Sequence, residues 1–235
     1  MAATQQRQFV KYTFLKVQPA WRGLPASERE AGKREVVGIV EEFSQRLILR
    51  TYSTVGTRGD CDLLIWTAGE RLEDVQQLAS RLYGSRLGPY LETPHSFLAM
   101  TKRSMYVDSH RHEGQEGTRL RVRPVGSKYL FVYPFVKTRA WYLLPQEERQ
   151  AMMDTHITVG HRYPSVRIHT SYSFGLDDQE FMVAFETDSP ADFLDLVMEL
   201  RETRASEFTH RDTPIFTCVL MSPGEALDML ASATG

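Results

Sequence analysis

The sequence predicts an α+β protein made of two tandem ferredoxin-like βαββαβ units, with antiparallel sheets facing each other and helices outside, as in a dimeric α/β barrel. Three observations carry that expectation. The chain repeats once: "WRGLPASERE" from Trp21 is answered by "WYLLPQEERQ" from Trp141, "TYS" from Thr51 by "SYS" from Ser171, and "TPHSF" from Thr93 by "TPIFT" from Thr213, always at an offset of 120. Separated matches in one register fix an architecture before any single element is judged. Each half then reads strand, helix, strand, strand, helix, strand. Finally, 235 residues, 42% hydrophobic and 25% charged, supply a full core without disulfides or a structural metal. The expected division is an N-terminal unit over 1–104, a linker over 105–118 and a C-terminal unit over 119–235.

In the second half, "YLFVYPFV" from Tyr129 is rich in aromatic and β-branched residues and reads as a strand. "PQEERQAMMDTHITVGHRY" opens with Pro145 and acids, which suit a helix N-terminus. "VRIHTSYSF" and "EFMVAFE" follow as strands joined by a turn at "GLDDQ", whose paired aspartates read as turn chemistry with too few oxygens for a metal loop. In "SPADFLDLVMELRETRA", Ser189 is the N-cap, proline follows, and Phe193, Leu194, Val197, Met198 and Leu200 form the expected buried face. "PIFTCVLM" closes the unit as a strand. Between the halves, "SMYVDSHRHEGQEGT" is polar and glycine-rich and reads as a linker or loop, with His110 and His112 facing solvent or serving proton transfer.

Composition narrows the function classes. Lys plus Arg total 28 against 30 Asp plus Glu, and a net charge of -2 gives no overall field to gather nucleic acid. No apolar run reaches the roughly 18 residues of a membrane span, and the first residues lack the basic and apolar blocks of a secretory signal, so the expected location is the cytoplasm. Cys61 in "CDLLIW" and Cys218 in "IFTCVL" read as buried free thiols.

A duplicated fold explains shared residues without any function, so the informative positions are those where the halves differ. His156 stands where the first half has Val36. Met152, Met153, Val159 and Tyr163 lie a turn or two away on the same helix, so the imidazole faces inward. Two readings stay open: a core histidine satisfied by a carbonyl, or a haem ligand in an apolar, methionine-rich bed. On the preceding strand, Tyr133, Phe135 and Lys137 share a face, which suits a flat apolar ligand edged with carboxylates. In "RLRVRP", Arg119, Arg121 and Arg123 alternate with Leu120 and Val122, either to grip carboxylates or to protect an exposed edge strand.

The tract "YPFVK", "WYLLPQEERQAMMDTH" and "YSFGLDDQEF" resembles the chlorite dismutase-like superfamily and, within it, the coproheme decarboxylases. The resemblance covers both repeats. It implies a cytoplasmic homopentamer, in transient contact with a coproporphyrin ferrochelatase, whose C-terminal units bind the porphyrin. It also implies peroxide-dependent decarboxylation of two propionates of iron-coproporphyrin III to give haem b, through a tyrosyl radical. Carried over by position, His156 is the iron ligand, Tyr133 the radical tyrosine and Lys137 the lysine that positions a propionate. Arg121, with Arg119 and Arg123 as alternatives, binds a propionate, Thr213 offers it a hydroxyl, and Met153 lines the site. Ile168 falls where chlorite dismutases keep a distal arginine, which argues against chlorite chemistry. The carboxylate that hardens the family's proximal histidine has no match, Ala205 lying near its place and Glu207 beside it. Chlorite dismutation and non-catalytic haem binding or redox sensing remain the alternatives.

Overall fold

The computed structural model describes residues 6–104, 106 and 121–230. Arg119, His110, His112 and, apart from Tyr106, the expected linker lie outside the described residues. In chain order the elements are β1 (Phe9–Val17), α1 (Ala26–Phe43), β2 (Ile48–Ser53), β3 (Leu63–Gly69), α2 (Leu72–Tyr83), β4 (Leu91–Met100), β5 (Tyr129–Lys137), α3 (Arg139–Leu143), α4 (Gln146–Gly160), β6 (Arg167–Tyr172), β7 (Phe181–Thr187), α5 (Pro190–Arg201), β8 (Thr209–Arg211), β9 (Phe216–Leu220) and α6 (Pro223–Asp228). The fold is α+β, as the repeat predicts. None of the described helices is long and apolar enough to cross a membrane.

One compact unit comprises Gln8–Leu98 together with the chain from Phe216. Its strands lie in the order β4-β1-β3-β2-β9, the ferredoxin-like order with one strand added at the β2 edge. The added strand was expected to close the C-terminal unit. It pairs with β2 instead, Tyr52 opposite Leu220, because Phe216 stacks on Phe14 at 3.8 Å and Cys218 is fully buried. Thr51 and Thr57 hydroxyls donate to the carbonyls of Met221 and Thr217. Both cysteines are buried and free, as expected. Helices α1 and α2 cover one sheet face through a single apolar cluster that includes Leu15, Val17, Trp21, Val36, Ile39 and Leu78.

The other unit comprises Ala99–Ile215. Here β7 pairs antiparallel with both β5 and β6, and β8 pairs with β5 across a register shift at Val136/Lys137. The expected capping of α5 is present, the Ser189 hydroxyl accepting from the Asp192 amide. Its buried face is rotated from the expected one. Phe193 and Leu196 are buried and Val197 and Leu200 pack beside them, whereas Leu194 and Met198 are 56% and 60% exposed. The spacing 193, 196, 197, 200 is one helical stripe, and Leu194 and Met198 sit about 100° off it. The "GLDDQ" segment is a tight turn around Gly175, whose φ of 71° is the left-handed conformation that glycine alone adopts freely. Gly56, at φ 80°, makes the same turn in the first unit.

Candidate functional site

The distinctive chemistry gathers between α4 and the face of β5 that carries Phe131, Tyr133 and Phe135. Pro145 and two glutamates start α4, and its inward side meets two separate apolar clusters. Met152 and Met153 pack with Trp141, Ala205 and Phe208, and Val159, two turns on, packs with Phe131, Phe185 and Phe193. His156 sits midway along that side and belongs to neither cluster. In the first unit the same helix position is Val36, embedded in a single continuous cluster.

The imidazole of His156 makes no hydrogen bond among the described residues, and its Nδ1 is buried without a partner. Burial, reinforced by the charge of Lys137, pushes its pKa down to about 4. It is therefore neutral at physiological pH, with a lone pair free for a metal. Among the described residues no carbonyl accepts from it, which favours the ligand reading over a satisfied core histidine. The structure also bears on the missing carboxylate: Glu207 is exposed, and Ala205 contributes its carbonyl to Lys137 instead.

Lys137 ends β5 at the position where β1 has the buried Val17. Its Nζ donates to the Ala205 carbonyl at 3.1 Å and lies 4.0 Å above the Trp141 ring. Burial, partly opposed by Glu180, lowers its pKa to about 8. The Glu180 carboxylate accepts from the Lys137 amide at 2.8 Å and from the Tyr142 hydroxyl at 2.5 Å, fixing the end of β5 and the short helix α3. Sequence reasoning missed this brace. Asp62 does the same for the Val17 amide in the first unit, so the repeat itself could have pointed to it.

Tyr133 is half-buried, its ring 6.0 Å from that of Phe185, and its hydroxyl has no hydrogen-bond partner among the described residues. Burial raises its pKa, with a further push from Asp212, so the phenol keeps its proton. Asp212, ion-paired with Arg201 at 2.6 Å, precedes Thr213, whose exposed side chain is thus carried on a segment close to Tyr133. Ile168 is 57% exposed and paired with Phe185, on the same sheet face as Tyr133. Arg167 and His169 turn to the other face, as the strand alternation predicts.

The segment with Arg121 and Arg123 is not a strand, contrary to the edge-strand expectation. Both arginines are exposed and flank buried Val122, so the alternation is kept without a ladder. Its anchor is Glu186, a fully buried carboxylate that accepts from the Val125 and Gly126 amides at 2.9 and 3.0 Å and bonds His169 Nε2 at 2.7 Å. Neither residue stood out in the sequence. Among the described residues no group of three His, Cys, Asp or Glu side chains could hold a metal ion.

An imidazole without hydrogen bonds, between two apolar clusters and opposite a phenol and an ammonium, can ligate the metal of a flat apolar group whose rim carries acids. The residues fit an iron porphyrin. Comparison with known proteins points the same way. A coproheme decarboxylase of Mycolicibacterium smegmatis is 34% identical over 167 residues, covering 71% of this chain and 70% of that protein. Among solved structures, a chlorite dismutase from Candidatus Nitrospira defluvii in complex with imidazole is 26% identical, with a TM-score of 0.86 and 95% of each chain covered. A heme-binding protein from Thermus thermophilus is also 26% identical, with a TM-score of 0.84 over 96% of this chain and 95% of that one. The chlorite dismutase family model matches residues 29–221. With a family model that matches most of its length and a relative 34% identical over 71% of it, the chain belongs to the chlorite dismutase family.

Proposed function

We propose that this chain is a coproheme decarboxylase, an oxidoreductase that converts iron-coproporphyrin III to haem b. In each of two rounds one propionate loses its carboxyl group as carbon dioxide and one hydrogen from its β-carbon, leaving a vinyl group. The two electrons released reduce one hydrogen peroxide to two waters. The observation that carries this reading is the neutral His156 imidazole, without a hydrogen bond among the described residues, on a helix side flanked by two apolar clusters and close to Lys137.

When bound, the iron porphyrin supplies peroxide activation and the oxidising equivalent. His156 holds the iron through its neutral imidazole, with Met153 and Ile168 as apolar walls. Tyr133 keeps its hydroxyl hydrogen because burial disfavours the phenolate; having given that hydrogen up, it takes another from the propionate β-carbon. Lys137, with a pKa near 8, anchors the carboxylate as an ammonium and can release a proton near neutral pH. Arg121, with Arg123 or Arg119, grips the acidic rim, and the Thr213 hydroxyl donates to a propionate. The reading includes a cytoplasmic homopentamer that receives its porphyrin from a coproporphyrin ferrochelatase. An apolar Ile168 on the sheet face of Tyr133 gives no fixed cation to hold chlorite.

The test mixes the purified protein with iron-coproporphyrin III and peroxide and follows the porphyrin by mass spectrometry. Stepwise loss of two carboxyl groups is expected. Tyr133→Phe should bind the porphyrin and leave it intact. Oxygen release from chlorite, or an unchanged porphyrin with the wild type, would overturn the reading in favour of chlorite dismutation or simple haem binding.

A further inference from the structure

We propose that Glu186 and His169 are positioning residues that clamp the segment from Arg121 to Lys128 onto the sheet, and so hold Arg121 and Arg123 ready for carboxylates at a porphyrin rim. The inference rests on the haem reading above and names the part of the fold that serves its acidic edge.

Glu186 is 0% exposed within β7. A carboxylate in such a place is costly unless hydrogen bonds replace its lost water. Three donors do so here. Two are the consecutive amides of Val125 and Gly126, a backbone nest that Gly126 makes possible with a φ of 79°. The third is His169, 2.7 Å away. Burial alone would raise the Glu186 pKa, but the His169 bond and the two amides bring it below the ordinary carboxylate value, so it is ionised at neutral pH.

The fold does not need this carboxylate. Aligning β3 (Leu63–Gly69) with β7 (Phe181–Thr187) puts Ala68, also 0% exposed, at the equivalent place in the first unit. What the second unit gains is a fastened segment. Val122 is buried, Val125 and Gly126 are held by Glu186, and the Lys128 amide donates to Asp188 at 2.7 Å. A stretch that lacks strand pairing is thus tied down along its length, with Arg121 and Arg123 exposed on either side of a buried anchor. Fixing long cations in advance reduces the ordering cost of binding, so an ionic rim contact gains most from such a clamp.

Titration of the full-length protein with iron-coproporphyrin III and with its tetramethyl ester tests the idea, alongside hydrogen exchange of the Val125 and Gly126 amides. Glu186→Gln should expose both amides, weaken binding of the acid about tenfold and leave the ester within about twofold. Gly126→Ala, which strains the nest while leaving the buried carboxylate in place, should show the same selective loss. Combined with Arg121→Gln and Arg123→Gln, either change should weaken acid binding no further than the arginine changes alone. Unaltered affinity for the acid in both variants, once the amides exchange freely, would overturn the clamp, as would equal losses for acid and ester. Wild-type protein that bound neither porphyrin would remove the haem reading first, and the clamp with it.

Discussion

Replacing Lys137 by methionine should make the ligand-free protein more stable at neutral pH while weakening its hold on carboxylated porphyrins. The ammonium is half-buried beside a neutral imidazole, and its Nζ donates to the Ala205 carbonyl. Burial lowers its pKa from 10.5 to about 8, partly opposed by Glu180. Because the folded value lies below the unfolded one, the folded state binds this proton more weakly. Stability from this group is full above about pH 10.5, is lost as the pH falls towards about 8, and stays lost at neutral pH. The gap between those values corresponds to about 3 kcal/mol, and solvent screening of a partly exposed head reduces it to about 1–2 kcal/mol. Methionine keeps the unbranched stem, removes the charge and retains contact with the Trp141 ring. Urea unfolding of wild type and Lys137→Met without porphyrin should give the variant an advantage of about 1–2 kcal/mol near pH 7, shrinking as the pH rises and vanishing only above about pH 10.5. A variant less stable at pH 7, or an advantage that ignores pH, would refute the account of Lys137 as a strained, function-bearing charge.

His156 and Trp141 give two further expectations. With a His156 pKa near 4, protons do not compete for the ring between about pH 7 and pH 5, so coproheme affinity in an absorbance titration should be flat there and fall below about pH 4. His156→Ala should abolish the ligated spectrum at every pH, and a wild-type decline centred near pH 6.5 would show an ordinary, solvated imidazole. Trp141→Ala removes a ring that is 2% exposed and packs with Met152, Ala205 and Phe208. It should cost about 3–5 kcal/mol of stability by urea unfolding, and a loss below about 1 kcal/mol would mean that this cluster is not a core.

The ferredoxin-like order of both units was legible because hydrophobic periodicity and a long repeat are local signals that survive without coordinates. His156 was legible because it stands where the other half has Val36, breaking a pattern that the repeat itself supplies, and Tyr133 and Lys137 because strand alternation puts them on one face. Other features depend on contacts between distant segments and leave no periodic trace. The transfer of β9 to the first unit rests on Phe216 meeting Phe14, some 200 residues away in sequence. The Glu180 brace and the Glu186 clamp join side chains to backbone amides 43 and 60 or 61 positions earlier, and a backbone amide has no signature in a sequence. The rotated face of α5 shows a third limit. Leu194 and Met198 are as apolar as their buried neighbours, so only the packing of Phe193 on Phe131, at 4.0 Å, reveals which stripe faces the sheet.

The two halves provide an internal control for the energetics of a functional site. Where the first unit has Val17, Val36 and Ala68, all buried, the second has Lys137, His156 and Glu186. Each exchange puts an ionisable group where the same backbone accepts a hydrocarbon, and two of the three groups hold pKa values displaced against their charged forms. The first unit accordingly closes its helix layer over one cluster, whereas the second divides its layer into two with His156 between them. Selection for stability alone would have kept the valines, since a continuous apolar layer is the cheaper solution for a fold already present in the same chain. On the proposed function, a flat apolar ligand would pack against both clusters, take up the imidazole lone pair and bring anions to the ammonium. Ligand binding would then add to the core of the second unit, so that affinity and stability would rise and fall together.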